Sequence, residues 1–134
     1  MKKETVIIEK GKDGSYSAYP SGLKTTIIGE GDSAKEAKAD FLNSYDEIIE
    51  YYRSEEVSVP DELLNIEFDF RFDISAFFNY FNFINTSKFA ESIGIEPSLM
   101  RHYKSGKTYI SDGQRKKIED GIHSMAAELQ QITL

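Results

Sequence analysis

The chain has 134 residues, 40% hydrophobic and 13% aromatic, with a formal net charge of −7 and no cysteine. That length holds one domain or two very small ones, and the missing cysteines exclude a disulfide framework and any thiolate ligand or nucleophile. An acidic balance disfavours indiscriminate polyanion binding, and the N-terminal MKKETVIIEKGKDG offers only the short apolar stretch Val6 to Ile8, so a soluble, cytoplasmic protein with no membrane association is expected.

Thr5-Val6-Ile7-Ile8-Glu9 is a β-branched run, and Ser15-Tyr16-Ser17-Ala18-Tyr19 follows after Gly11-Lys12-Asp13-Gly14, which predicts a hairpin turning at Asp13-Gly14. Lys24-Thr25-Thr26-Ile27-Ile28-Gly29 reads as a third strand, ended by Gly29-Glu30-Gly31. Ser33 meets Glu36 three residues later, the spacing of a reciprocal capping box at a helix start. Ala34, Ala37, Phe41, Tyr45, Ile48 and Tyr52 then recur with the three-and-four spacing of a helix packing one face on a sheet. Residues 54–61 are polar and carry Pro60, so they read as a connection. Ile66, Phe68, Phe70 and Phe72 alternate with Glu67, Asp69 and Arg71, the period of a half-buried strand.

Helices are predicted from there to the end. Asp73 caps residues 74–83, whose Ile74, Phe77, Phe78 and Phe81 share one core-directed face. Thr86 or Ser87 opens the next helix, Pro97 suits the first turn of another, and Ser111 caps residues 112–127. The stretch SKFAESIGIEPSLMRHYKSGK carries the parts of a helix-turn-helix of the repressor and Cro type. Ala90 is the small residue at the crossing, Gly94 the turn, and Phe89, Ile93, Ile95, Met100 and Tyr103 the wedge between helices. Glu96, Pro97, Ser98, Arg101 and His102 then form the outer, N-terminal face that contacts DNA base edges, with Lys104, Lys107 and Tyr109 near the backbone.

Charge is divided along the chain. From Thr86 onward seven Lys/Arg oppose six Asp/Glu, about +1; the totals of 16 and 23 leave nine against seventeen before it, −8. Between Arg101 and Lys117 six basic residues face only Asp112, a local +5 suited to a phosphate backbone. The triplet Arg115-Lys116-Lys117 fits either a phosphate contact or a solvated helix face.

Asp13, Gly14, Tyr16 and Ala18, then Gly31, Asp32 and Ser33, then Glu36 and Ala37, form a pattern that resembles the HicB-type antitoxins of type II toxin-antitoxin systems. Their N-terminal half has an Asp-Gly-x-Tyr-x-Ala hairpin and a Gly-Asp-Ser/Thr entry into an alanine-rich helix. A C-terminal helix-turn-helix is one of that family's two DNA-binding endings, so the resemblance spans nearly the whole chain. This chain departs from the family at Pro20-Ser21-Gly22-Leu23, where a Leu-Pro-Gly-Cys-type segment is common, and in the aromatic-rich segment 74–83.

The resemblance implies an α+β protein: a partial ribonuclease-H-like β-β-β-α-β unit without catalysis over residues 1–73, and an all-α helix-turn-helix unit over 74–134. It implies an antitoxin that binds and neutralises a small basic RNA-cleaving toxin (HicA-like) and represses its own operon by binding operator DNA as a homo-oligomer, dimer or tetramer. The acidic first half suits a basic partner, because opposite charge speeds encounter. The alternative is a stand-alone helix-turn-helix regulator whose first half dimerises or senses a ligand. An enzyme is not expected: ribonuclease-H chemistry needs converging carboxylates on metal ions, and only Glu9, Glu36 and Asp40 are candidates. His102 and His123 lie twenty-one residues apart with no carboxylate at ligand spacing, so no metal site and no cofactor is expected.

Overall fold

The β-branched run near the N-terminus forms β1 (Lys2–Lys10), longer at both ends than residues 5–9. The computed structural model describes residues 1–106 and 110–134. After β1 come β2 (Tyr16–Pro20), β3 (Gly29–Gly31), α1 (Ala34–Ser54), a 3-10 turn (Asp61–Leu63), β4 (Ile66–Phe72) and α2 (Ile74–Tyr80). Then follow α3 (Thr86–Ile93), α4 (Pro97–Ser105) and α5 (Asp112–Gln130). The class is α+β, with a four-stranded mixed sheet and five α-helices among the described residues. Two compact units divide the chain, Met1–Tyr80 and Phe81–Leu134. Among the described residues no helix is long and apolar enough to cross a membrane.

In the first unit the strand order is β3-β2-β1-β4, with β1 antiparallel to β2 and parallel to β4. The register sets Ile8 beside Ala18 and Phe72, and Val6 beside Phe70, so one face is continuously apolar. Against it α1 sets Ala34, Ala37 and the fully buried Phe41. The Phe41 ring meets Phe68 and Phe70 edge-on at 5.0 and 5.6 Å. Tyr45 stacks edge-on to Phe68 and donates its hydroxyl to the Leu63 carbonyl at 2.8 Å, which satisfies the polar end of a half-buried ring. The hairpin turns where expected: Gly14 is left-handed (φ 86°), and the Asp13 carboxylate accepts from the Ser15 amide and hydroxyl. At the start of α1, Ser33 accepts from the Glu36 amide, but the Glu36 carboxylate reaches the Asp32 amide at 2.7 Å rather than that of Ser33.

The third strand differs from the sequence expectation. It occupies Gly29–Gly31, the residues expected to end it, and the segment 24–28 is irregular although Ile27 is buried. Two contacts account for this. The Glu62 carboxylate takes the Lys24 and Thr25 amides (3.0 and 2.8 Å) and the Thr25 hydroxyl, which diverts those amides from a ladder. At Gly29 the strand runs so close to α1 that a Cβ would lie 2.3 Å from the Ala37 carbonyl oxygen and the Phe41 nitrogen.

The Thr25 hydroxyl and the Lys24 and Thr25 amides hold the Glu62 carboxyl below its ordinary value of 4.5. A carboxyl whose folded pKa is depressed contributes stability above its unfolded pKa and loses it as pH falls through the folded value. Glu62→Gln is therefore expected to lower the melting temperature of the first unit near about pH 7, with the gap narrowing as the pH falls below the ordinary carboxyl range. Thermal unfolding of both proteins at neutral and acid pH checks this; an undiminished gap in acid would show that Glu62 acts by packing alone.

The helix expected over 74–83 stops at Tyr80, and residues 81–84 form a turn closed by Ile84 donating to the Phe81 carbonyl at 3.1 Å. Asp73 caps it as expected, through a 3.4 Å bond from the Ala76 amide. The division between units consequently falls after Tyr80 rather than after residue 73. Aromatic contacts explain why α2 goes with the sheet. Phe77 and Tyr80 lie 6.4 and 6.3 Å from the Phe72 ring, and Tyr80 meets Tyr16 edge-on at 5.4 Å.

The second unit is built around Ala90, Met100 and Ile118, all fully buried, with Phe89, Ile95, Tyr103 and Ile110 beside them. Asn85, not Thr86 or Ser87, caps α3 by accepting from the Lys88 amide. Gly94 ends α3 in the left-handed region (φ 76°), and the Ile95 amide returns to the Ala90 carbonyl at 2.9 Å. Ser111 caps α5 through the Gln114 amide, and α5 runs on to Gln130.

Candidate nucleic-acid interface

The turn at Gly94 to Glu96 aims α4, and Pro97 at its first position needs no amide partner. Glu96 stands at the N-cap without a side-chain capping bond, so its carboxylate is exposed and uncommitted to the helix end. Met100 and Tyr103 turn inward and fix the roll of the helix. At 100° per residue that leaves Ser98, Arg101, His102 and Ser105 on the outward face, and all four are exposed. Pro97 is half-buried at the edge of this face. Lys104 is also half-buried and flanks the face instead of lying on it. Lys107 and Tyr109 lie outside the described residues.

The Arg101 guanidinium donates to the Ser87 hydroxyl at 3.0 Å, spanning from α4 to the first turn of α3. This sets a cation beside the first turn of α3, whose Lys88 amide Asn85 already takes, and a guanidinium there can hold a phosphate or reach a base edge. Lys117 reaches the same α3–α4 turn, its Nζ donating to the Gly94 carbonyl at 3.4 Å. Lys116 pairs instead with Asp120 at 2.9 Å, one turn along α5, and Arg115 is exposed. The basic triplet is thus split among three environments.

Two residues join the site that the sequence reading passed over. Ser105 sits at the centre of the outward face, one turn beyond Arg101, and helical periodicity alone would have found it. Ser87 is a helix-start residue by sequence, and its pairing with Arg101, fourteen residues away, exists only because α3 and α4 cross.

In the first unit, Glu9 lies on the sheet face away from α1 and accepts from the Tyr19 hydroxyl at 3.1 Å. Glu36 and Asp40 belong to α1 and accept the Asp32 and Glu30 amides at 2.7 and 2.9 Å. The three carboxylates therefore fall on opposite sides of the sheet. His102 and His123 are exposed on α4 and α5, and among the described residues no group of three or more His, Asp or Glu side chains is gathered as a metal site would need. The face turned away from α1 presents Ile7, Glu9, Tyr19, Glu67, Asp69 and Arg71, with Arg71 paired to Asp69 at 2.9 Å.

No protein-family model matches this chain, and neither does any curated protein or solved structure.

Proposed function

We propose that this chain is an antitoxin of the HicB type, which grips operator DNA with α4 and neutralises a small basic RNA-cleaving toxin with its first unit. The observation that carries the reading is the outward face of α4, where Ser98, Arg101, His102 and Ser105 are exposed together while Met100 and Tyr103 are locked inside. A short helix held by a glycine turn, with an exposed arginine on its outward face, fits the major groove, and the α3–α4 pair serves as the helix-turn-helix. The first unit supports the rest of the reading. Its β-β-β-α-β order matches the partial ribonuclease-H-like unit that the resemblance implies, and its −8 balance over residues 1–85 suits a basic partner.

The test has two arms. The full chain is titrated against DNA from upstream of its own gene and against random DNA of equal length, at two salt concentrations. It is also co-expressed with the product of the adjacent small gene. The reading expects at least about a 1,000-fold preference for the upstream DNA, together with a co-purifying complex that restores growth. Operator preference without any complex would leave the stand-alone regulator in place, and equal affinity for both DNAs would remove the helix-turn-helix assignment.

A further inference from the structure

An open groove of about 470 Å³ runs through the first unit, between the irregular segment 24–28 and the C-terminal half of α1. Thr26 and Ile28 stand on one wall, and Ser44, Glu47, Ile48 and Tyr51 on the other. The Ser44 hydroxyl donates to the Ile28 carbonyl at 3.2 Å, which ties the walls together. Two large side chains that the fold leaves in water edge the groove: Ile28 is 48% exposed and Tyr51 61%. The Tyr51 ring lies edge-on to Tyr52 at 5.7 Å, and Tyr52 lines the same groove. Charge here is one-sided. At 100° per residue Asp40 and Glu47 fall on the groove side of α1, whereas Lys35, Lys38 and Arg53 lie more than about 100° round the helix. Lys38 is committed there, over the Phe70 ring at 4.9 Å. The Glu47 carboxylate takes one bond from the Asn43 amide group at 3.2 Å, through Oε1, and keeps acceptor capacity for a second partner.

We infer that this groove is a socket for an arginine side chain of a basic protein partner. Its parts match those of that side chain. Ile28 and Ile48 suit the methylene stem, the Tyr51 ring the planar face of the guanidinium, and the Glu47 carboxylate its charge. An anion would face Glu47 across the groove, and an apolar side chain would leave that carboxylate without a counter-charge. Lysine brings the charge without the flat face. The socket rests on the groove alone; it deepens the toxin-binding reading of the first unit and rests on that reading only for the identity of the partner.

The probe is the capped tripeptide acetyl-Gly-Arg-Gly-amide, titrated into the isotope-labelled full chain and followed by amide chemical shifts. Saturable shifts are expected at Ile28, Ser44, Glu47 and Tyr51, with a dissociation constant in the millimolar range, and the Gly-Lys-Gly peptide should bind more weakly. Tyr51→Ala and Glu47→Gln should each weaken the arginine peptide at least about 3-fold. Both side chains are exposed, so the circular dichroism spectrum should be retained. Glu67→Gln, on the sheet face turned away from α1, should change nothing. In the full chain co-expressed with the product of the adjacent small gene, Tyr51→Ala combined with Glu47→Lys should abolish co-purification and leave operator affinity unchanged. The inference is overturned by shifts that do not saturate or that appear equally at Glu67 and Asp69, by single variants that bind the peptide as the wild type does, or by a complex that the double variant keeps. A complex kept in that way would leave the antitoxin reading standing. Peptide binding in the groove, with no complex from the wild type, would sink that reading and leave the socket.

Discussion

Gly29→Ala is expected to cost the first unit about 3 kcal/mol or more, enough to unfold a small marginal domain. The added Cβ would lie 2.3 Å from both the Ala37 carbonyl oxygen and the Phe41 nitrogen, which are main-chain atoms of α1 and cannot swing aside. Relief requires moving α1 off β3, which opens the contact that buries Ala37 and Phe41. Gly22→Ala is the control, because its Cβ would meet only the Glu4 carboxylate, at 3.1 Å and at the end of a flexible side chain. Hydrogen exchange of peptides from β1, β2 and β4 reads the unit's own stability within the full chain. Near-native protection in Gly29→Ala would mean that β3 does not run against α1 as described.

Arg101→Ala is expected to separate the two activities proposed for this chain. Operator affinity should fall by roughly 1–3 kcal/mol per half-site and base preference should relax, since an exposed arginine on the outward face of such a helix is the group that reads a base edge. Toxin neutralisation should be unchanged, because Arg101 belongs to the second unit and its one described hydrogen-bond partner, Ser87, does too. Lys104→Ala, at the flank of α4, should weaken all DNAs alike and reduce the salt slope by about 1. Gel-shift titrations on operator and random DNA, paired with growth rescue in cells making the toxin, give both readouts. Equal losses on both DNAs would make Arg101 a phosphate contact, and lost rescue would mean that the second unit takes part in neutralisation.

The residues that suggested the family have plain local jobs in the fold. Asp13 and Gly14 close the hairpin, Tyr16 and Ala18 fill the sheet's inner face, and Ser33 caps α1. Gly31 lies where a Cβ would sit 2.5 Å from the Glu36 Cβ, and Ala37 is fully buried. Such a motif reports a backbone shape. A backbone shape does not name a partner, and the toxin proposal is tested by co-expression on its own account.

Local chemistry carried most of the element order from the sequence alone. The alternation from Ile66 to Phe72, the stripe from Ala34 to Tyr52, the Asp13-Gly14 turn and the Gly94-to-Pro97 connection are each encoded within a few residues, because backbone hydrogen bonding in turns, caps and helices is short-range. The inward set of the second unit was legible from the spacing of a helix-turn-helix: Ala90 at the crossing, Ile95 in the turn, and Met100 and Tyr103 on the inner face of α4 are all buried. The tertiary structure decided what depends on contacts between distant residues. Glu62 took the amides of Lys24 and Thr25 from thirty-eight and thirty-seven residues away and moved the third strand to Gly29–Gly31. The rings of Phe72 and Tyr16 drew α2 into the first unit and shifted the division past Tyr80. Arg101 acquired Ser87 only when α3 and α4 crossed. Propensity and periodicity record the neighbours a residue has along the chain, whereas a carboxylate or an aromatic ring takes whichever partner the fold brings within a few ångströms.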